Sequence, residues 1–135
     1  MCEIGDIIVI EKYKDGNHDL SKHSFVVIQD EGGCIRGLSF DIIALVMSSF
    51  KDEQQRLRKM QYDNFPIVPN DRDLTEGGNE KDGYIKADQF YFFQKANIQY
   101  RVIGKLKDDI LLLLFEYIET ELKEDPKLII DNLKA

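Results

Sequence analysis

Apolar residues along this chain come in short blocks separated by polar, glycine-containing stretches, the rhythm of a small β protein. Asp6 to Tyr13 (DIIVIEKY) is β-branched and apolar from Ile7 to Ile10, then amphipathic, and predicts a strand. Lys14 to Lys22 (KDGNHDLSK), with Asp15-Gly16-Asn17 at its tip, predicts a hairpin loop longer than a tight turn requires. Loops of excess length often carry function. His23 to Gln29 (HSFVVIQ) predicts a second strand, and Asp30-Glu31-Gly32-Gly33 a turn. Ile42 to Met47 (IIALVM) is the continuous apolar run of a strand buried on both faces, with Phe40-Asp41 as its opening.

Ser48-Ser49 stops that run. Phe50 to Met60 (FKDEQQRLRKM) is built of good helix formers, and Ser49 as N-cap with Asp52 three residues on resembles a capping box. Tyr62 to Pro69 (YDNFPIVP) holds two prolines and predicts an edge strand or an extended stretch. Asn70 to Gly83 predicts a polar loop. Tyr84 to Phe93 (YIKADQFYFF) predicts one strand, Ala96-Asn97 a turn, and Ile98 to Leu106 (IQYRVIGKL) a strand with Gly104 at a bulge. Asp108 then caps a helix running to about Lys123. In it Ile110, Leu111, Leu114, Phe115, Ile118 and Leu122 keep helical spacing, and Leu112 and Leu113 widen the stripe. So wide a stripe is expected to pack on a sheet and also to touch a second subunit. Pro126 ends the element, and Lys127 to Ala135 predicts one more helical turn or an arm. Strands joined by short polar loops predict a mainly β chain with helices, a small antiparallel barrel rather than a βαβ sheet.

At 135 residues the chain is one domain, and at 43% hydrophobic it can bury a core. Its 18 basic and 25 acidic residues give a formal charge of −7, which argues against a whole-surface grip on nucleic acid and leaves room for a local basic groove. Two cysteines, Cys2 and Cys34, are too few for a disulfide framework, and neither has a His or Cys at zinc-ligand spacing, so no metal site is expected. The longest apolar run, Ile110 to Phe115, is far below the ~20 residues of a membrane span. The first residues lack the basic n-region of a signal peptide. A cytoplasmic protein without a membrane partner is expected. No phosphate-binding glycine fingerprint, HExxH or GxSxG occurs, so any chemistry uses a sparse site and no cofactor.

The order Gly5-Asp6-Ile7-Ile8-Val9, a long loop, Phe25-Val26-Val27-Ile28-Gln29, then Ile43 to Ser49 resembles the MazF/PemK toxin family. Tyr84-Ile85-Lys86-Ala87-Asp88-Gln89 looks like that family's strand ending in an acidic residue and Gln. Val102-Ile103-Gly104-Lys105-Leu106 with its acidic-capped helix looks like the closing strand and terminal helix. The resemblance spans about residues 3 to 122, which sets a barrel domain at 1–123 and a tail at 124–135. It implies an SH3-like β-barrel of the MazF/CcdB type with a C-terminal helix, usually a homodimer. It also implies metal-independent cleavage of single-stranded RNA at short sequences, by attack of a ribose 2′-OH on its own phosphate. A cognate antitoxin with a disordered acidic segment would occupy the RNA groove.

In-line RNA cleavage needs a base for the 2′-OH, an acid for the leaving oxygen and a donor or cation for the phosphorane. The family's Thr-Arg-Pro-like triplet aligns with Lys22-His23-Ser24, so His23 stands where the family has an arginine that serves the phosphate. An imidazole exchanges a proton near neutral pH, which suits a base or an acid, with Lys22 or a loop residue as fixed cation; otherwise His23 merely starts a strand. Ser48 aligns with the family's catalytic Thr. Its hydroxyl can donate to a phosphate oxygen, reinforced by a following helix N-terminus; the plainer role for Ser48 or Ser49 is the N-cap. His18 in the long loop can complete an acid–base pair, although a lone loop His is usually solvated. Lys51 and Arg56, with Arg58 and Lys59, form a basic run that suits an RNA backbone or is a solvated face balanced by Asp52 and Glu53. Asp88 and Gln89 can read base edges of unpaired RNA. Phe90 to Phe93 can stack on bases, but an aromatic strand is more often core.

Two rivals share the barrel. A gyrase-directed poison of the CcdB type relies on an aromatic-glycine ending, whereas this chain ends Asp131-Asn132-Leu133-Lys134-Ala135 and has no Trp. A catalytically degenerate module would only bind an antitoxin or another protein.

Overall fold

A computed structural model describes residues 2–13, 23–75, 81–131 and 133. The elements in chain order are β1 (Asp6–Tyr13), β2 (His23–Gln29), β3 (Gly33–Ile35), β4 (Leu38–Phe40), β5 (Ile42–Ser49), α1 (Glu53–Lys59), β6 (Asn64–Ile67), β7 (Arg72–Leu74), β8 (Gly83–Lys86), β9 (Gln89–Phe93), β10 (Ile98–Leu106), α2 (Asp108–Thr120) and β11 (Lys127–Ile129). The chain is mainly β, a curled half-barrel sheet with two helices. The sheet runs β11-β9-β5-β2-β1-β10-β7, with β8 on β5 and β6 on β8. Every pairing is antiparallel except β11 on β9.

Pleating sends alternate residues to opposite faces. Ile8, Ile10, Phe25, Val27, Ala44 and Val46 build one buried cluster, and Ile7, Val26, Leu45 and Met47 belong to a second. The second is covered by α2, whose Leu114 is fully buried while Ile110, Leu111 and Ile118 pack alongside. Leu112 and Leu113 stay 69% and 52% exposed, so the part of the stripe expected to meet another subunit is open to solvent in the single chain.

Several sequence expectations are corrected. The helix cap is Asp52, not Ser49: the Asp52 carboxylate accepts from Gln55 N at 2.7 Å, and Ser49 is still in β5. Asp108 is the first helical residue rather than the cap, and α2 ends at Thr120. The strand expected over Tyr84 to Phe93 is interrupted at Ala87-Asp88. Its two halves take different outer neighbours: β6 pairs with β8 and β11 with β9. The interruption is held by Ala87 N donating to Asp63 O at 3.0 Å and Lys127 N to Asp88 O at 2.7 Å. The segment after Pro126 is therefore a parallel strand, not a helical turn, and Leu133 is buried against Phe40 and Phe92. Asp63, only 3% exposed, accepts from Lys123 N at 2.9 Å and Glu124 N at 3.2 Å, which fixes the chain as it leaves α2. The extra residue in β10 is Ile103, one position before Gly104, because Ile7 pairs with Gly104 and Ile8 with Val102.

Part of the expected polar loop is β7, which pairs Leu74 with Gly104. A Cβ at Gly104 would lie 2.3 Å from Asp73 O and 2.8 Å from Leu74 Cα, so glycine is what lets β7 close on β10. Gly104→Ala is expected to lower stability by about 1–3 kcal/mol, as overpacking of a close backbone contact does. Urea denaturation of the folded chain reads that loss directly.

Candidate functional site

The curled sheet leaves a cleft of about 510 Å³ where β2 begins and β5 ends. His23 sits at the start of β2, exposed, with its backbone paired to Ile10. Ser48 is near the end of β5, paired with Tyr84, and Ser49 is paired with Gly83. A Cβ on Gly83 would meet the Ser48 carbonyl at 2.3 Å, so a side chain there would push β8 away from the site strand. The ladder between β2 and β5 runs Val26 to Leu45, Phe25 to Val46 and Ser24 to Met47. His23 and Ser48 are the next residues along the two strands. Alternation gives both the face of Phe25 and Val46, and gives Ser24 and Ser49 the face of Ile7 and Met47. The cleft opens at the strand ends and is lined by residues of both sets.

Lys51 and Arg72 also line it. Lys51 follows β5, exposed, and its backbone N–H donates to Gln55 Oε1 at 2.6 Å. Arg72 opens β7 and is half-buried. Its Nη2 donates to Lys81 O at 2.9 Å, which aims the guanidinium. Burial pushes the Arg72 pKa down, while Asp71 and Asp82 nearby pull it up. A guanidinium so placed remains a cation. Sequence reasoning missed Arg72 because it lies in a stretch read as loop. The available signal was the apolar Leu74 two positions on, which is the spacing of one strand face.

Of the other expected site residues, Arg56 lies beside this cleft, in a second cavity of about 340 Å³ that shares Lys51. There its Cζ lies 5.4 Å from the Phe50 ring centroid, and Nη1 is 3.4 Å from Asp82 Oδ2. Phe50 packs on Tyr84 with centroids 4.9 Å apart. Asp88 and Gln89 are not brought to the cleft: Asp88 O accepts from Lys127 N, and Gln89 pairs with Lys127. His18 and Lys22 lie outside the described residues. The expected anion site at a helix start beside Ser48 is also corrected, because the carboxylate of Asp52 holds the first turn of the seven-residue α1.

Among the described residues, no three His, Cys, Asp or Glu are grouped to hold a metal, and no helix is long and apolar enough to cross a membrane. Neither protein-family models nor curated proteins yield a match to this chain.

The cleft is lined by Ser24, Ser48 and Ser49, the cations Lys51 and Arg72 and the imidazole of His23, a set able to hold an anionic group. Asp88 does different work. Burial pushes its pKa up, with Asp63 and Glu124 adding to the rise and Lys127 opposing it. The folded state therefore holds the Asp88 proton more tightly than the unfolded chain. Stability from this group is present at low pH and is lost as pH rises from the ordinary aspartate range through the raised value. Asp88→Asn is expected to gain stability relative to wild type as pH climbs through that window, measured by thermal melts at stepped pH.

Proposed function

We propose that this chain is an endoribonuclease of the MazF/PemK type, an SH3-like barrel that cleaves single-stranded RNA without a metal and is restrained by a cognate antitoxin. One observation carries this conclusion: His23 at the exposed start of β2 and Ser48 near the end of the neighbouring β5 line one open cleft together with Lys51 and Arg72. The order and spacing of the quoted segments from Gly5 to Leu106 support the same assignment.

His23 takes the ribose 2′-OH proton, and the 2′-oxygen attacks the adjacent phosphorus. The bond from phosphorus to the 5′-oxygen breaks, and that oxygen takes up a proton from water, leaving a 2′,3′-cyclic phosphate and a 5′-hydroxyl, and His23 returns its proton to solvent. Ser48 donates to a non-bridging oxygen. Arg72, a fixed cation in the cleft, supplies the positive charge that an imidazole at position 23 cannot hold throughout the cycle. The protein acts as a homodimer, and the exposed Leu112 and Leu113 of α2 are the apolar surface available for a second copy.

Purified protein incubated with a long unstructured RNA in chelator is expected to give cyclic phosphate ends at a short recurring sequence. His23→Ala should slow cleavage by about 10²–10⁴-fold. Ser48→Ala should slow it by about 10²–10³-fold, the effect of removing one transition-state donor. Intact RNA at high protein concentration would instead favour a module that binds an antitoxin or another protein.

A further inference from the structure

The second cavity, lined by Phe50, Lys51, Glu53, Arg56 and Asp82 among others, shares Lys51 with the first. Its make-up differs from a backbone track. A phosphate track needs cations alone, and flexible lysines serve it well. Here the Arg56 guanidinium lies over the Phe50 ring and its Nη1 reaches Asp82. Phe50 is itself backed by Tyr84. Arg56 is thus a planar cation over an aromatic ring at the cavity wall. An unpaired base stacks on an arginine plane as it does on an aromatic ring. The exposed Glu53 carboxylate on the same wall is an acceptor for the amino group of a base.

We propose that this cavity is a nucleobase subsite. It holds one unpaired base of the RNA, beside the nucleotide whose phosphate lies in the main cleft. The base stacks on the Arg56 guanidinium, and Glu53 selects adenine, cytosine or guanine over uracil through an exocyclic amino group. The subsite rests on the RNA-cleaving assignment of the main cleft and adds to it where sequence preference is read. Lys51, common to both cavities, holds the phosphate that joins the two nucleotides.

The test is anisotropy titration of labelled single-stranded octanucleotides, 2′-O-methylated throughout so that none is cut, against wild type, Arg56→Lys, Glu53→Gln and, as a control on exposed α2, Glu119→Gln. Arg56→Lys keeps the charge and removes the plane, so it is expected to weaken binding at least about fivefold, the loss of one stacked base. Glu53→Gln is expected to shrink the preference for amino-bearing over all-uracil octamers, while Glu119→Gln matches wild type. Thermal melts check that each variant is folded. Should Arg56→Lys and Glu53→Gln both bind as wild type does, the base subsite is overturned and the main-cleft assignment survives. If wild type binds none of the octamers and leaves RNA uncut, that assignment falls and takes the subsite with it.

Discussion

Strand β5 is hydrogen-bonded along both edges, to β2 on one side and to β9 and then β8 on the other. Its residues Ile42 and Ala44 to Met47 are buried. A strand with no free edge and apolar residues on both faces has one register, because a slip of one position would exchange its two buried sets. That constraint travels outward. It brings His23 and Ser48 to the same end of the β2–β5 pair, fixes Tyr84 beside Ser48, and sets the cleft at the end of β5 where the sequence turns from apolar to hydroxyl. Ser48 and Ser49 end the hydrophobic run, and the change from core to site occurs within two residues.

Charge is divided along the fold in a way the total of −7 conceals. Lys51 and Arg72 line the main cleft, and Arg56 beside it is offset by Asp82, while Asp63, Asp88 and Glu124 gather where the chain leaves α2 and β11 joins the sheet. At the second place the Asp63 carboxylate is structural, tying backbone N–H groups of residues 123 and 124, while the main-chain carbonyl of Asp88 accepts from Lys127 N. An acidic chain therefore keeps a cationic pocket, with local potential set by the nearest few groups rather than by the sum.

Strands β1, β2 and β10 run over the residues their patterns predict, since each is long, β-branched and placed in the middle of the sheet. The short elements were not legible. The β3–β4 hairpin rests on three-residue strands and a turn with positive φ at Arg36 and Gly37, and arginine gives no warning of that conformation. Strand β7 is three residues in a polar run, made a strand only by the room left at Gly104. Strand β11 depends on a free edge of β9 that no local pattern announces. The cleft was legible in His23, Ser48, Ser49 and Lys51, which sit at strand ends marked by abrupt changes in polarity. Arg72 was not, because its place depends on β7, and β7 depends on tertiary contact. Asp88 and Gln89 were assigned from a motif, yet the interruption between β8 and β9 turns their backbone toward the C-terminal segment.

On the proposed reading, an imidazole at position 23 in place of a guanidinium changes what the rest of the phosphodiester site must provide. A guanidinium at the start of β2 would carry fixed charge and leave proton transfer to another group. An imidazole there can move the proton, but it cannot be a fixed cation while it does so. The missing charge has to come from elsewhere in the fold, from a residue whose position does not depend on the same strand. Arg72 meets that condition: it reaches the cleft on β7, across β10 and β1 from β2, and is aimed by the carbonyl of Lys81 rather than by a neighbour of His23. The proposed mechanism thus divides proton transfer and charge stabilisation between two strands, so that each group can keep the protonation state its task requires.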